Sequence, residues 1–267
     1  MRQSSPRDPE TLALAVTRVE EIIFVRVQLW NTYDAIFRAI IHSKRKLKTL
    51  VIQSYYEVVD WVQDVNSMAH AVCMVQNVVL DFSELTTVQL EVLFTNISTS
   101  SELNLQNLTI NLDHTCSGVS EVSPEVLASA VCRLKKCNMC SSGMTTEQLE
   151  VLCSEIVYCK NLPLSYLNIG NMLELEDVDE DILASAVVRL EVVEMVYKST
   201  DAQLHAILNK VVEYPDSKLK ELHVLYVDEE EPETRSLLMK VKEDMIIYNY
   251  KKGNWCSSDY SPKQVIV

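Results

Sequence analysis

Apolar positions along this chain fall into eight short segments of one form: apolar, two residues, apolar, one residue, apolar. The first four are Val19-Ile22-Phe24, Leu47-Leu50-Ile52, Val75-Val78-Leu80 and Leu105-Leu108-Ile110. The last four are Leu134-Cys137-Met139, Leu164-Leu167-Ile169, Leu190-Val193-Met195 and Leu219-Leu222-Val224. Their starts are spaced 26 to 30 residues apart. The last two apolar positions of each segment alternate with outward ones, which predicts a strand with one buried face.

The stretches between the strands carry helical periodicity. Leu127, Ala130, Val131 and Leu134 recur at i, i+3, i+4 and i+7, one face of a helix. They belong to a phrase written four times, as Leu12-Ala-Leu-Ala-Val16, Met68-Ala-His-Ala-Val72, Leu127-Ala-Ser-Ala-Val131 and Leu183-Ala-Ser-Ala-Val187. A second phrase alternates with it. Thr86-Thr-Val-Gln-Leu-Glu-Val-Leu-Phe94 returns as Thr145-Thr-Glu-Gln-Leu-Glu-Val-Leu-Cys153, then more loosely as Thr200-Asp-Ala-Gln-Leu-His-Ala-Ile-Leu208. Tyr33, Ile36, Phe37 and Ile40 are its first copy. Asp8-Pro9, Ser123-Pro124 and Glu231-Pro232 place Pro in a first helical turn, with Asp8 and Ser123 as caps. A period of this size predicts a stacked repeat architecture, which builds surfaces more often than active sites.

Eight LxxLxL-type segments in register, each after a helical phrase, resemble the leucine-rich repeat family. Repeat length and the alternation of two repeat types resemble its ribonuclease-inhibitor-like subclass. The resemblance implies an α/β solenoid of about eight strand-loop-helix repeats. Residues 9–248 would form a curved horseshoe, with a parallel sheet on the concave face and helices on the convex face. Residues 1–8 read as an N-terminal flank and 249–267 as a C-terminal tail. The family's Asn or Cys, three residues past the last Leu of the strand, is replaced here by Val27, Tyr55, Ser83, Asp113, Ser142, Met172, Lys198 and Val227. That departure bears on the loops between repeats rather than on the fold class. The first helix, ahead of any strand, reads either as a cap on the stack or as the start of a piece cut from a longer array.

Composition narrows the function classes. The chain has 267 residues, 48% of them hydrophobic and only four Gly, which argues against phosphate-cradling loops. No apolar run approaches the roughly 18 residues of a membrane span. The start, Met1 to Asp8, has no apolar region, so no signal peptide is visible and a cytoplasmic location with reduced thiols is expected. Cys137-Asn-Met-Cys140 has CxxC spacing, but Cys137 reads as inward-facing and Cys140 as past the strand, with no further pair to complete four ligands. No metal or cofactor is expected. Asn96-Ile-Ser98 and Asn107-Leu-Thr109 match the glycosylation pattern, which without secretion is chance. Of the five histidines only His223 falls on the outward strand face, and no nucleophile or acid is paired with it by a recognisable motif.

Charge is uneven. The net charge is −14, and Glu174, Glu176, Asp177, Asp179, Glu180 and Asp181 crowd one strand-to-helix loop. Asp228, Glu229, Glu230, Glu231 and Glu233 crowd the equivalent loop two repeats later. In a stack these loops share a rim, where negative potential would steer a basic protein and repel nucleic acid. The same acids also suit a solvated rim and helix N-termini. The outward strand positions are mixed in charge, with Lys48, Lys135, Lys136, Glu191, Glu194 and His223 among them and Tyr166 as their one aromatic. Trp30, Tyr55, Tyr56 and Trp61 follow strands or begin helices. Val265-Ile-Val267 has the form of a C-terminal peptide that augments a sheet edge.

The expected function is a monomeric, non-catalytic protein-binding module. It would use the concave residues Tyr166, Lys48, Lys135, Lys136, Glu191, Glu194 and His223, with Glu174, Glu176, Asp177, Glu229 and Glu230 on the rim. Two alternatives stand beside it. One is a ligand-sensing fragment of a larger nucleotide-binding immune-type receptor. The other is a small-GTPase regulator, for which Arg26 after the first strand is the candidate arginine.

Overall fold

The computed structural model describes residues 9–25, 33–43, 46–54, 62–82, 85–112, 118–139, 143–169, 177–195, 200–214, 216–225, 231–241, 245–250 and 263–266. Each apolar segment becomes a strand: β1 (Glu21–Val25), β2 (Thr49–Ser54), β3 (Asn77–Phe82), β4 (Asn107–Leu112), β5 (Lys136–Asn138), β6 (Tyr166–Asn168), β7 (Val192–Met195) and β8 (Glu221–Leu225). Two further strands follow, β9 (Ile246–Tyr250) and β10 (Lys263–Ile266). They form one sheet in sequence order, with β1 to β9 parallel and β10 antiparallel to β9. The chain is thus an α/β repeat of solenoid type, each unit pairing with the one before it.

The first helical phrase forms α1 (Pro9–Val16), α3 (Val65–Met74), α5 (Pro124–Val131) and α7 (Glu180–Val187). The second forms α2 (Tyr33–His42), α4 (Thr87–Thr99), α6 (Thr146–Tyr158) and α8 (Asp201–Glu213), and α9 (Pro232–Leu238) closes the series. Ser123 caps α5, its hydroxyl accepting from the Val126 amide, and Pro occupies the first turn of α5 and α9. The last two apolar positions of the eight segments are buried, Phe24 only partly. Leu50, Val78, Leu108, Cys137, Leu167, Val193 and Leu222 stand side by side in register as one wall of the core. Ile36, Phe37, Phe94, Leu152 and Ile207 fill the helix side and are fully buried. Each such side chain contributes about 1.5–3 kcal/mol by leaving water.

The repeat runs one strand further than the eight segments predict. In β9, Ile247 pairs with Leu222 and is buried. The register sets Asn249 against Val224, and Asp244 lies three positions ahead of Ile247, as Leu219 lies three ahead of Leu222. Polar residues at two of its three pattern positions hide the ninth unit from the apolar spacing. β9 also crosses the boundary drawn at residue 248, and Val265 and Ile266 belong to a strand paired with Ile247 and Ile246.

Candidate functional site

Between the buried positions of each strand sit outward ones, and the parallel register aligns them into rows. One row reads Ile23, Val51, Val79, Thr109, Asn138, Asn168, Glu194, His223 and Tyr248. A second reads Glu21, Thr49, Asn77, Asn107, Lys136, Tyr166, Val192, Glu221 and Ile246. Neighbours in a row are about 4.8 Å apart, the spacing of adjacent strands. The face changes character along the stack. β1 to β3 present Ile23, Val51 and Val79, and Ile23 is 62% exposed. The middle is amide-rich: Asn107 Nδ2 donates to Asn77 Oδ1 at 2.5 Å, and Asn77 Nδ2 to the Lys48 carbonyl at 3.1 Å. The far end is acidic and aromatic.

Six of the seven predicted strand-face residues come together across β5 to β8. Lys135 and Lys136 are exposed, and Lys136 is the register partner of Tyr166, which in turn faces Val192. Glu191 pairs with Lys220 at 3.1 Å, and Glu194 accepts from Asn168 Nδ2 at 2.7 Å. His223 is the register partner of Glu194. Lys48 stands apart on the β2 side, paired with Glu20 at 2.7 Å. The Glu20 carboxylate raises the Lys48 pKa, but both side chains are largely exposed, so the pair contributes little to stability.

His223 has closer company than its sequence neighbourhood indicates. Its ring stacks on Tyr248 with centroids 4.2 Å apart and planes 26° from parallel. Its Nε2 lies 3.7 Å from a carboxylate oxygen of Glu221, beyond hydrogen-bond range. Tyr248 is a second outward aromatic beside Tyr166, missed because it sits in the ninth strand. The sequence signal for it is the run of strand-forming residues in Ile246-Ile-Tyr-Asn-Tyr250, which misses the repeat pattern because Asn249 stands where the other strands have an apolar residue.

Of the predicted acidic rim, Asp177, Glu180, Asp181 and Glu233 are described and exposed. Glu174, Glu176, Glu229 and Glu230 lie outside the described residues, as do Arg26, Trp30, Tyr55, Tyr56, Trp61 and Cys140. Two further rim acids hold helix ends. Asp179 caps α7 by accepting from the Ile182 amide at 2.9 Å, and Glu231 caps α9 by accepting from the Thr234 amide at 2.9 Å. Thr234, through its hydroxyl and its amide, lowers the Glu231 pKa, and His205 at 3.1 Å adds to this. Part of the negative charge is therefore committed to helix N-termini, where it is favourable.

The described cysteines are buried thiols or nearly so. Burial pushes Cys132, Cys137 and Cys153 up to about 12 and Cys73 to about 11, far from thiolate reactivity at neutral pH. Cys137 points into the core, as its register requires. Among the described residues no group of three or more His, Cys, Asp or Glu side chains is arranged to hold a metal ion. Among the same residues no helix is long and apolar enough to cross a membrane. What the face offers chemically is rigidly spaced donors, acceptors, four lysines, several carboxylates and the rings of Tyr166 and Tyr248 on a continuous sheet. Compared with known proteins, the chain matches no family model, and no curated protein matches it.

Proposed function

We propose that this chain is a non-catalytic, leucine-rich-repeat-type binding module that grips a protein partner with the concave face of a horseshoe. The observation that carries the reading is the run of outward side chains from β5 to β8. Lys135 and Lys136 flank Tyr166 on one side, and Glu191, Glu194, Glu221 and His223 lie on the other. Aromatic anchors beside charges of both signs are what protein interfaces use for affinity and for register. Strands give such groups little freedom, so little ordering entropy is lost on binding. The acidic loops at the strand-to-helix edge would add steering for a partner with a basic surface.

The test is affinity capture from an extract of the source cell, with two altered baits beside the native one. The first carries Lys136→Glu and Tyr166→Ala. The second carries Lys at Glu174, Glu176, Asp177, Glu229 and Glu230. A protein held by the native bait and lost by the first places the contact on β5 and β6. Loss from the second alone places it on the acidic edge. A set of captured proteins identical across all three baits sinks the reading.

A further inference from the structure

The four lysines of the strand face are not alike. A third outward row stands just ahead of the strands and reads Glu20, Lys48, Gln76, Gln106, Lys135, Ser165, Glu191 and Lys220. Most of its members pair across the stack. Lys48 meets Glu20 at 2.7 Å, and Lys220 meets Glu191 at 3.1 Å. Gln76 Nε2 donates to Gln106 Oε1 at 3.3 Å. Arg133, two residues before Lys135, is committed to backbone carbonyls at the end of α4, as Arg189 is at the end of α6. Lys135 and Lys136 are the exception. Both are exposed, and among the described residues neither ammonium meets a carboxylate or another acceptor. Gln106 and Asn107 on one side and Ser165 and Tyr166 on the other are uncharged. Gln106 is exposed too, and with its Oε1 occupied its Nε2 is a donor to spare. Three open donors thus sit together in a chain whose net charge is −14. Lys136 opens β5, so they stand where the strands begin, at the opposite end from the acidic loops.

We propose that this patch binds an acidic segment of the partner protein, its Asp or Glu carboxylates over Lys135, Lys136 and Gln106 and its aliphatic residues over Ile23, Val51 and Val79. The inference rests on the strand-face binding role proposed above and names the chemistry of what is gripped there. Ammonium and amide hydrogens donate, and a carboxylate only accepts, so the match is charge-assisted. A basic segment finds less, since Lys48 and Lys220 already occupy Glu20 and Glu191, and Glu194 accepts from Asn168. Repulsion from the rest of the chain is screened within about 8 Å at physiological salt. Val79 lies two strands from Lys136, about 10 Å, which three extended residues span. Ile23, at 62% exposure, continues the apolar row to β1. Glu191 and Glu194 beyond Tyr166 repel the carboxylates of such a segment, which keeps it from sliding towards β7 and fixes its direction.

The experiment titrates the 15N-labelled full chain with a capped synthetic peptide of three aliphatic residues, two serines and three glutamates. Comparison peptides carry glutamine or lysine in place of glutamate. Saturable amide shifts at Gln106, Lys136 and Tyr166 are expected with the glutamate peptide, and binding about tenfold weaker with the glutamine peptide. Salt at about 1 M should remove most of that difference, since the Debye length falls to about 3 Å. Lys135→Gln with Lys136→Gln should bring the glutamate peptide down to the glutamine level. Equal binding of the glutamate and glutamine peptides overturns the proposal, as do unmoved amides on β4 to β6, and neither result depends on a variant folding. Preference for the lysine peptide, with shifts confined to β7 and β8, also overturns it while leaving the strand face as the binding surface. The strand-face reading itself fails on a different result, identical captures by the native and altered baits.

Discussion

At the scale of single residues, charge-assisted bonds to helix ends and buried thiols set the most testable energetics. Arg189 is half-buried and bonds three carbonyls at the end of α6. Arg189→Ala leaves these acceptors without their donor, so a loss of about 2–3 kcal/mol is expected, in the range for hydrogen bonds to charged groups. Urea denaturation checks it, and Arg189→Lys should recover only part, since one ammonium cannot reach all three oxygens with the geometry of the guanidinium fork. The thiols give a pH dependence. Cys73, Cys132, Cys137 and Cys153 rise from an ordinary 9.0 to about 11 or 12 because burial disfavours the thiolate. Tyr33 rises from 10.0 to about 12 for the same reason. Above the ordinary value the unfolded chain sheds these protons while the folded chain keeps them, so stability is full below about pH 9 and falls as pH climbs towards the folded values. Thermal melts in reductant at rising alkaline pH should show the midpoint falling steadily, with a shallower fall in Cys153→Ala. A midpoint that stays level up to the folded values would mean the thiols are not buried in solution.

At the scale of elements, the Thr-x-x-Gln beginning of the second helical phrase decides how α4, α6 and α8 start. Thr145 Oγ1 accepts from the Gln148 amide at 3.2 Å, and Gln148 Oε1 accepts from the Thr145 amide at 3.0 Å, a capping box. The buried Gln148 Nε2 also donates to the carbonyls of Val119 and Val122, both at 2.7 Å. Gln203 repeats the arrangement towards the Val178 carbonyl at 3.0 Å. Gln148→Leu would orphan these buried partners. A loss of about 2–4 kcal/mol is expected in equilibrium unfolding, and more for Gln148→Glu, whose charge would face two carbonyls. The phrase was legible in the sequence as a repetition, and its apolar spacing gave the helix face. The reach of Gln148 back to the preceding turn was not, because contacts 26 to 29 residues apart leave no local pattern. The arginine caps were hidden for the same reason. β9 escaped because Asp244 and Asn249 take two of its three pattern positions, and β10 because no helical phrase precedes Lys263. The outward rows fared better, since period-two alternation fixes which side chains share a face. Their register then brought Lys136, Tyr166 and Glu194 together without further information.

At the scale of the whole molecule, the sheet order makes the structure nearly one-dimensional, each repeat touching only its neighbours. Stability should then vary along the stack with how many neighbours a repeat has. The exposures bear this out at the first unit. Val19 is 42% exposed and Leu14 is 55% exposed, while the register equivalents of Val19, Val75 and Leu134, are fully buried. Among the described residues, α1 and β1 bury themselves against one side only. At the other end β9 gains a partner in β10, whose antiparallel pairing covers its backbone edge, while β1 pairs on one side only among the described residues. Hydrogen exchange is therefore expected to be graded and lopsided. Amides of α1 and β1 should open with the lowest free energy, those of β3 and β4 should approach the global value, and β8 and β9 should lie between. The isolated effect of the open end is read by Leu14→Lys, which removes an exposed apolar group and should leave exchange in β3 and β4 unchanged. Uniform protection from β1 to β9 would instead require that the stack opens as a single cooperative unit, in which case the arginine and glutamine ties between helices bind the repeats more tightly than their own cores do.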